Sequence, residues 1–176
     1  MAFVLPEELL PELTLSEGMH LADFGAGSGA YSLPAAALVG ESGRVYAIDV
    51  QKDMLTKLKN EAASRKLHNV EIIWGDVEAE MGAKLAPHSV DRVIVSNVLF
   101  QAEDKEKLVK EASRILRPNG LLLFIDWSGS YGGIGPKEDH VVPPAAARRL
   151  FASNGFAEVK EVNAGDYHYG IVFRRL

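Results

Sequence analysis

The segment Asp23–Gly29 contains residues whose types and spacing could bind an anionic or an adenosyl ligand. It reads DFGAGSG and lies between an apolar run and an amphipathic stretch, the order that predicts a strand, a glycine-rich turn and a helix. Glycines let a ligand approach the backbone closely, and the N–H groups at a helix start favour an anionic group. Asp49 ends the next apolar run, where a carboxylate can accept hydrogen bonds from both ribose hydroxyls. These features fit a dinucleotide and S-adenosylmethionine equally well.

Three further polar residues favour S-adenosylmethionine. Asp23 directly precedes the glycine turn, and a carboxylate there repels a pyrophosphate but attracts the ammonium group of an amino acid. Asp76 follows the third predicted strand, where an adenine amino group would lie. Asn97 follows the fourth strand, at the crevice where open α/β sheets bind ligands. Polar groups after four successive strands are a sharper signal than one glycine loop.

The elements that must position these residues follow from the alternation of short apolar runs with amphipathic stretches, which predicts repeated βα units. The pattern predicts a doubly wound α/β sheet of about seven strands in one domain over 1–176, mostly parallel, with an antiparallel C-terminal edge hairpin. The predicted strands are 19–23, 44–48, 70–74, 91–95, 121–126, 156–162 and 167–174, and the predicted helices are 30–39, 52–66, 103–116 and 143–154.

Composition excludes several functions. The 176 residues include no cysteine, which rules out disulfides, thiolate metal sites, a cysteine nucleophile and arsenic methylation through thiolates. The formal charge of −5 disfavours a nucleic-acid partner. No apolar stretch approaches the about 18 residues of a membrane span. The N-terminus carries Glu7 and Glu8 instead of a basic region, so it is not a signal peptide and we expect a cytoplasmic protein.

Together the motifs resemble those of the class I S-adenosylmethionine-dependent methyltransferases, a family with a Rossmann-like fold. ADFGAGSG resembles the first motif of the family, YAIDV its ribose motif and WGDVE its adenine motif. The stretch from SNVLFQAEDKEK to NGLLLFIDW resembles the quinone-biosynthesis C-methyltransferase-like branch. The resemblance covers residues 17–126 well and the C-terminal part more loosely.

The resemblance implies S-adenosyl-L-methionine as cofactor and assigns roles to residues of the motifs. Asp23 would lie near the methionine amine, Asp49 at the ribose and Asp76 at the adenine. Val50 and Met54 would pack the adenine, Val77 would offer it a backbone N–H, and Ser96 or Asn97 would meet the methionine end. The full set of implied cofactor residues is Asp23, Phe24, Gly25, Ala26, Gly27, Gly29, Asp49, Val50, Met54, Gly75, Asp76, Val77, Ser96 and Asn97.

The methyl acceptor is left open at this point. The transferred methyl group is already activated on a sulfonium, so a base is optional and depends on the acceptor. Residues 96–99 read SNVL and not an N/D-P-P-aromatic motif, which disfavours a nucleobase amine. The candidates for a catalytic group are Tyr131, His140 and Asp126. Asp126 alone is too little for a metal site, and no metal is expected.

We therefore predict methyl transfer to a small-molecule acceptor. Two alternatives are a nicotinamide-dependent oxidoreductase, which uses a similar glycine loop, and a non-catalytic subunit that binds an adenosyl ligand, which the small size of the chain favours. Residues 1–17 are expected to form a helical segment that packs near the site. The glycine-rich segment 128–142 is a candidate lid. The sequence does not fix the oligomeric state, and a homodimer is one candidate assembly.

Overall fold

A seven-stranded sheet organises residues 5–176, the part of the chain that this computed structural model describes. In chain order the strands are β1 (His20–Phe24), β2 (Arg44–Asp49), β3 (Val70–Trp74), β4 (Val90–Ser96), β5 (Leu116–Trp127), β6 (Phe156–Val162) and β7 (His168–Arg175). Their order in the sheet is β3-β2-β1-β4-β5-β7-β6. The first five strands run parallel, and β7 pairs antiparallel with both β5 and β6. The predicted α/β fold with an antiparallel C-terminal edge hairpin is confirmed.

Helices cover both faces of the sheet. Side chains of the helices Pro6–Leu9 and Ser32–Val39 pack in one apolar cluster, and side chains of the helices Lys105–Ile115 and Pro144–Ser153 pack in another. Central strands therefore bury both faces: in β5, Leu122 and Phe124 belong to one cluster while Leu123 and Ile125 belong to the other, as the alternation of a strand requires. The α-helices are α1 (Pro6–Leu9), α2 (Ser32–Val39), α3 (Lys52–Ser64), α4 (Lys105–Ile115) and α5 (Pro144–Ser153), and short 3-10 helices span Leu10–Leu13, Leu99–Gln101 and Glu138–His140.

The junction between α4 and β5 differs from the prediction. The helix begins at Lys105, because the side chain of Asp104 accepts a hydrogen bond from Lys107 N and caps the first turn. It ends at Ile115, and β5 begins at once at Leu116 instead of at 121. Leu116 pairs with Val90, and the pairing with β4 resumes only at Leu121 after a register shift. The stretch 117–120, predicted to separate helix from strand, is therefore an irregularity inside the strand.

The N-terminal segment packs on the sheet beside β4 and β5. Leu9, Leu10 and Leu13 are buried in the same cluster as the β-strand residues of that face. Arg92 anchors the segment, because its Nε donates to Leu13 O at 2.6 Å. Residues 1–4, which were part of the predicted helical segment 1–17, lie outside the described residues. None of the helices formed by residues 5–176 combines the length and the apolar character that crossing a membrane requires.

Candidate functional site

A cleft of about 290 Å³ lies at the carboxyl ends of the parallel strands. The turn after β1 supplies one wall, and the segments after β2 and β3 supply the others. Polar groups that were dispersed in the sequence meet here because the carboxyl ends of parallel strands share one edge of the sheet. Of the predicted cofactor residues, those that line the cleft are Gly25, Gly27, Asp49, Val50, Met54, Gly75, Asp76 and Val77.

The carboxylate of Asp49 holds the glycine turn against the start of α3. Its Oδ2 accepts a hydrogen bond from Gly27 N at 2.9 Å, and its Oδ1 accepts one from Gln51 N at 2.8 Å. The residue is 6% exposed. An ionised carboxylate has about four acceptor positions, so the two backbone donors leave capacity for further hydrogen bonds from the cleft.

Gly25 and Gly27 differ in what surrounds them. Both have a positive φ, 71° and 55°. A Cβ on Gly25 would lie 2.3 Å from Cγ2 of Val98, whereas a Cβ on Gly27 would have no atom within 4 Å. Gly25 is therefore needed for protein packing, and Gly27 leaves open space in the cleft. Gly29 belongs to the packing of two helices, since a Cβ there would meet Leu58 of α3 at 2.9 Å and Leu33 of α2 at 3.0 Å.

Asp23 lies beneath the glycine turn and does not line the cleft. It is 2% exposed, and its Oδ2 accepts a hydrogen bond from Ser32 Oγ at 2.6 Å. Burial raises the pKa of the Asp23 carboxyl to about 7, against the opposing effect of that hydrogen bond. Phe24 has its side chain in the core at 0% exposure, and Ala26 is 7% exposed. Among the residues predicted from the first motif, only the glycines at 25 and 27 reach the cleft.

The predicted adenine end combines polar and apolar groups. Val50 is exposed, Met54 is half-buried and Val77 is buried. Asp76 is exposed, and its Oδ1 accepts a hydrogen bond from Glu78 N at 2.9 Å. A Cβ on Gly75 would lie 2.4 Å from Gly82 O, so this glycine allows the loop after β3 to fold back on itself.

A second cavity of about 170 Å³ lies on the other side of the segment that follows β4. Asn97, at a positive φ of 58°, lines this cavity, and its neighbour Val98 lines the first cleft. Ser96 lines neither of the two; its side chain hydrogen-bonds Tyr31. Among the described residues, Asn97 Oδ1 is buried and has no hydrogen-bond donor. Leu9 and His168 close the cavity from the N-terminal segment and from β7.

A family model described as a methyltransferase domain matches residues 15–164. The ubiquinone/menaquinone biosynthesis C-methyltransferase UbiE of Pseudoalteromonas translucida is 30% identical over 115 residues, which cover 64% of this chain and 44% of that protein. The chain belongs to this methyltransferase family, the class I S-adenosylmethionine-dependent methyltransferases. This membership confirms the resemblance of the motifs and disfavours the nicotinamide-dependent alternative.

Two other similar proteins show how far the similarity extends along each chain. An S-adenosylmethionine-dependent methyltransferase from Aquifex aeolicus has a crystal structure with a TM-score of 0.87 and 28% identity, covering 97% of this chain and 89% of that one. An arsenite methyltransferase of Aquipseudomonas alcaligenes is 33% identical over 116 residues, 64% of this chain and 34% of that protein. The chain thus spans about half the length or less of the curated relatives it matches. It also contains no cysteine.

Asp126, a candidate catalytic group, is fully buried at the end of β5. Its Oδ2 accepts a hydrogen bond from Phe100 N at 3.0 Å, and its Oδ1 accepts one from Trp127 N at 2.8 Å. Burial raises its pKa to about 7, although both backbone hydrogen bonds and the charge of Lys105 act in the opposite direction. The carboxyl group ties the 3-10 helix after β4 to the end of β5, and it lines neither the cleft nor the second cavity.

Tyr131 and His140 lie in the segment that follows β5. The hydroxyl of Tyr131 is 2.6 Å from Ser128 Oγ, and its ring lies edge-on to Tyr167 with centroids 5.0 Å apart. His140 is exposed in the 3-10 helix Glu138–His140. Neither residue lines the cleft or the second cavity. The structure does not bring the three candidate catalytic groups together with the predicted cofactor residues.

Several residues of the cleft were not predicted from the sequence. Gln51 follows β2, Glu78 is the last residue of the adenine motif WGDVE, and Gln101 ends the 3-10 helix after β4. Gln101 Nε2 donates to Asn97 O at 3.0 Å, and Glu78 Oε2 accepts from Asp104 N at 2.6 Å. Their proximity to the motifs is the signal that could have found them, since each lies within four residues of a predicted site residue.

Proposed function

We propose that the chain binds S-adenosyl-L-methionine in the cleft and transfers its methyl group to a small-molecule acceptor. The observation that carries the proposal is the space between Gly27 and Asp49. The glycine there has nothing within 4 Å of its missing side chain, and a nearly buried carboxylate with spare acceptor positions borders the same space. A ribose with two neighbouring hydroxyls suits such a carboxylate.

Each wall of the cleft has a role toward this ligand. Asp49 would accept the ribose hydroxyls, and Asp76 with the backbone of Val77 would hold the adenine. Val50 and Met54 would pack against the ring. Asp23 would act from beneath the turn on the ammonium group of the methionine end, near Ser96 and Asn97. These roles are supported by the family membership and by the lining of the cleft.

The chemistry asks little of the protein beyond binding and alignment. When bound, the cofactor supplies a methyl group on a positively charged sulfur, which is a good leaving group without protonation. The chain holds the two reactants in line, keeps water out and provides a polar environment that was organised beforehand. Tyr131, His140 and Asp126 remain the candidates for a base. Asp126 also positions the loop after β4, because it accepts a hydrogen bond from Phe100 N.

The segment 128–142 is proposed to act as a lid over this site. Gly132 and Gly133 form the turn between Tyr131 and Ile134, which pair in an isolated antiparallel bridge, and no atom lies within 4 Å of a Cβ placed on either glycine. After this turn, Gly135 packs closely against Trp127, since a Cβ added at Gly135 would lie 2.5 Å from the Trp127 ring. Hydrogen exchange should slow in this segment when the demethylated product and an acceptor bind together; unchanged exchange would count against a lid.

Calorimetry with S-adenosylmethionine, S-adenosylhomocysteine and NAD tests the cofactor directly. The first two should bind and NAD should bind poorly; tighter binding of NAD would overturn the proposal. Methyl transfer is then measured with a labelled methyl group on a panel of phenols, amines and carbon acids. Binding of the cofactor without transfer to any acceptor would favour the non-catalytic adenosyl-binding subunit.

Three expectations from the sequence remain predictions. Cell fractionation tests the cytoplasmic location, and light scattering at known concentration tests the homodimer. A gel-shift assay at low and high salt tests the absence of a nucleic-acid partner, since binding to phosphates weakens steeply with salt.

A further inference from the structure

Trp74 is an exposed aromatic residue beside the cofactor cleft, and the proposed function does not use it. It is the last residue of β3, the edge strand of the sheet, and it is 54% exposed. It does not line the cleft, although the next residue, Gly75, does. A side chain that is more than half exposed stabilises the core less than a buried one, so its role follows from the specific contacts that it makes.

The indole N–H of Trp74 reaches the segment after β2. Its Nε1 donates a hydrogen bond to Val50 O at 3.1 Å. The pairing of β2 with β3 ends at Asp49 and Trp74, where Gly75 N donates to Asp49 O at 3.2 Å. The indole therefore ties β3 to the chain one residue past this last backbone link, at the point where the segment after β2 turns into α3.

Two lysines hold the indole in place. Lys52 Nζ, at the start of α3, lies 3.9 Å from a ring centroid of Trp74, and Lys84 Nζ, in the loop after β3, lies at 5.5 Å. An ammonium group within about 6 Å of an aromatic ring is attracted to it. Lys84 Nζ also donates to Trp74 O at 2.6 Å. Because these contacts orient the ring, it gives up less freedom when it donates to Val50 O.

The segment that the indole holds is one wall of the cleft. Asp49, Val50 and Gln51 all line it. The Asp49 carboxylate accepts hydrogen bonds from Gln51 N and from Gly27 N, and Val50 lies between Asp49 and Gln51 in the chain. A shift of the Val50 peptide would therefore move the carboxylate. Ligand-binding groups depend on supporting contacts that hold them within about 0.5 Å of the productive geometry.

We propose that Trp74 is a positioning residue for the adenosine half of the cofactor. Through Val50 O it fixes the segment 49–51, and with it the Asp49 carboxylate, in the orientation that accepts the ribose hydroxyls. This inference rests on the proposed function of the cleft. Trp74 acts from outside the cleft, through the backbone of Val50, and does not touch the ligand.

Trp74→Phe tests the inference, because it keeps an aromatic ring for the two lysines and removes the N–H. Calorimetry should show S-adenosylhomocysteine binding about two- to tenfold more weakly, the loss expected for one neutral hydrogen bond. Adenosine, which lacks the methionine end, should lose affinity by the same factor, because the change acts on the ribose side of the site.

Hydrogen exchange on the unliganded protein provides a second measurement that does not involve the cofactor. The amides of Gly27 and Gln51 both donate to the Asp49 carboxylate, so both should exchange faster in Trp74→Phe when they are followed by NMR. The matched control is Tyr46→Phe, also on β2. It removes a hydroxyl 3.4 Å from His20 Nδ1 at the amino end of the sheet, and it should change neither the affinities nor the two exchange rates.

The outcomes separate the role of Trp74 from the function of the cleft. Failure of S-adenosylhomocysteine to bind the unchanged protein overturns the proposed function, and the inference with it. Normal binding to the unchanged protein together with full affinity in Trp74→Phe overturns only the role of Trp74, whatever the exchange rates. A loss for S-adenosylhomocysteine without one for adenosine, or equal losses in Tyr46→Phe, would also overturn it.

Discussion

Alanine substitutions at Gly25 and Gly27 should differ in which property they impair more: Gly25→Ala should cost more stability, and Gly27→Ala should cost more cofactor affinity. Both glycines adopt positive φ angles, 71° and 55°, and alanine in that region costs about 1–2 kcal/mol, offset in part because alanine restricts the unfolded chain by about 0.4–1 kcal/mol. The backbone term is therefore similar at the two positions. What differs is the space around the new methyl group.

At Gly25 the methyl group would overlap Cγ2 of Val98, 2.3 Å away. Overpacking of this kind costs a further about 1–3 kcal/mol, so Gly25→Ala should lower the free energy of unfolding by about 2–4 kcal/mol. At about 2–4 °C per kcal/mol for a chain of this length, the melting temperature should fall by about 4–16 °C. Gly27→Ala meets no atom within 4 Å and should cost about 1 kcal/mol, or about 2–4 °C.

Cofactor affinity should follow the reverse order of severity. The methyl group on residue 27 would project into the open space beside Asp49, so Gly27→Ala should weaken S-adenosylhomocysteine binding at least about tenfold. Thermal unfolding and calorimetry on both variants measure the two effects. The double variant Gly25→Ala with Val98→Ala removes Cγ2 and should recover most of the extra loss of stability. Equal melting temperatures for the single variants, or full affinity in Gly27→Ala, would refute the reasoning.

The remaining predictions concern three buried carboxyl groups. Asp49→Ala should weaken S-adenosylhomocysteine binding at least about tenfold, since each charge-assisted hydrogen bond contributes about 1.5–3 kcal/mol. The control is Asp53→Ala, at an exposed site in the first turn of α3. This variant should leave the affinity measured by calorimetry unchanged. Because the pKa of Asp23 is about 7, the ammonium group of a bound ligand should displace the proton of this carboxyl group. Binding of S-adenosylhomocysteine near pH 6.5 should therefore release a fraction of a proton, which calorimetry in buffers of different ionisation enthalpy measures. Asp23→Asn should abolish the release. Burial also raises the pKa of Asp126 from 3.8 to about 7, so between those pH values the folded state keeps a proton that the unfolded state has lost, and stability should fall as the pH rises through this window. The fall in melting temperature should be smaller in Asp126→Asn; an equal fall in both proteins would assign it to other groups.

Much of the fold could be predicted because each strand is a short apolar run bounded by turn residues. The strands at 44–49, 70–74 and 90–96 were found within about one residue of their ends. The start of β5 could not be predicted, because residues 117–120 read RPNG, which is the pattern of a turn between two elements. Pairing of Leu116 with Val90 outweighs those signs. Strand pairing is a tertiary interaction, and propensity alone does not report it.

The site was predictable to the extent that its residues directly follow strands. Asp49 and Asp76 line the cleft for that reason. The sequence does not show that the carboxylate of Asp49 already accepts hydrogen bonds from Gly27 and Gln51, because that requires the turn after β1 and the start of α3 to meet. The sequence also does not show that Asp23 lies beneath the turn and accepts a hydrogen bond from Ser32. Its position in the motif predicted a carboxylate in contact with the ligand.

The second cavity depends on a choice of topology that no local pattern reveals. An antiparallel C-terminal hairpin can add to the sheet through either of its strands. Here β7 pairs with β5, so His168 lies opposite Trp127 at the carboxyl end of β5, and Ala164 is brought to the same end. Had β6 paired antiparallel with β5, residue 156 would begin at that end and the link between β6 and β7 would lie at the opposite edge of the sheet. Ala164 and His168 would then lie near the amino end of β5, about 23 Å away for the seven residues of β6 at about 3.3 Å each, and other side chains would close this cavity.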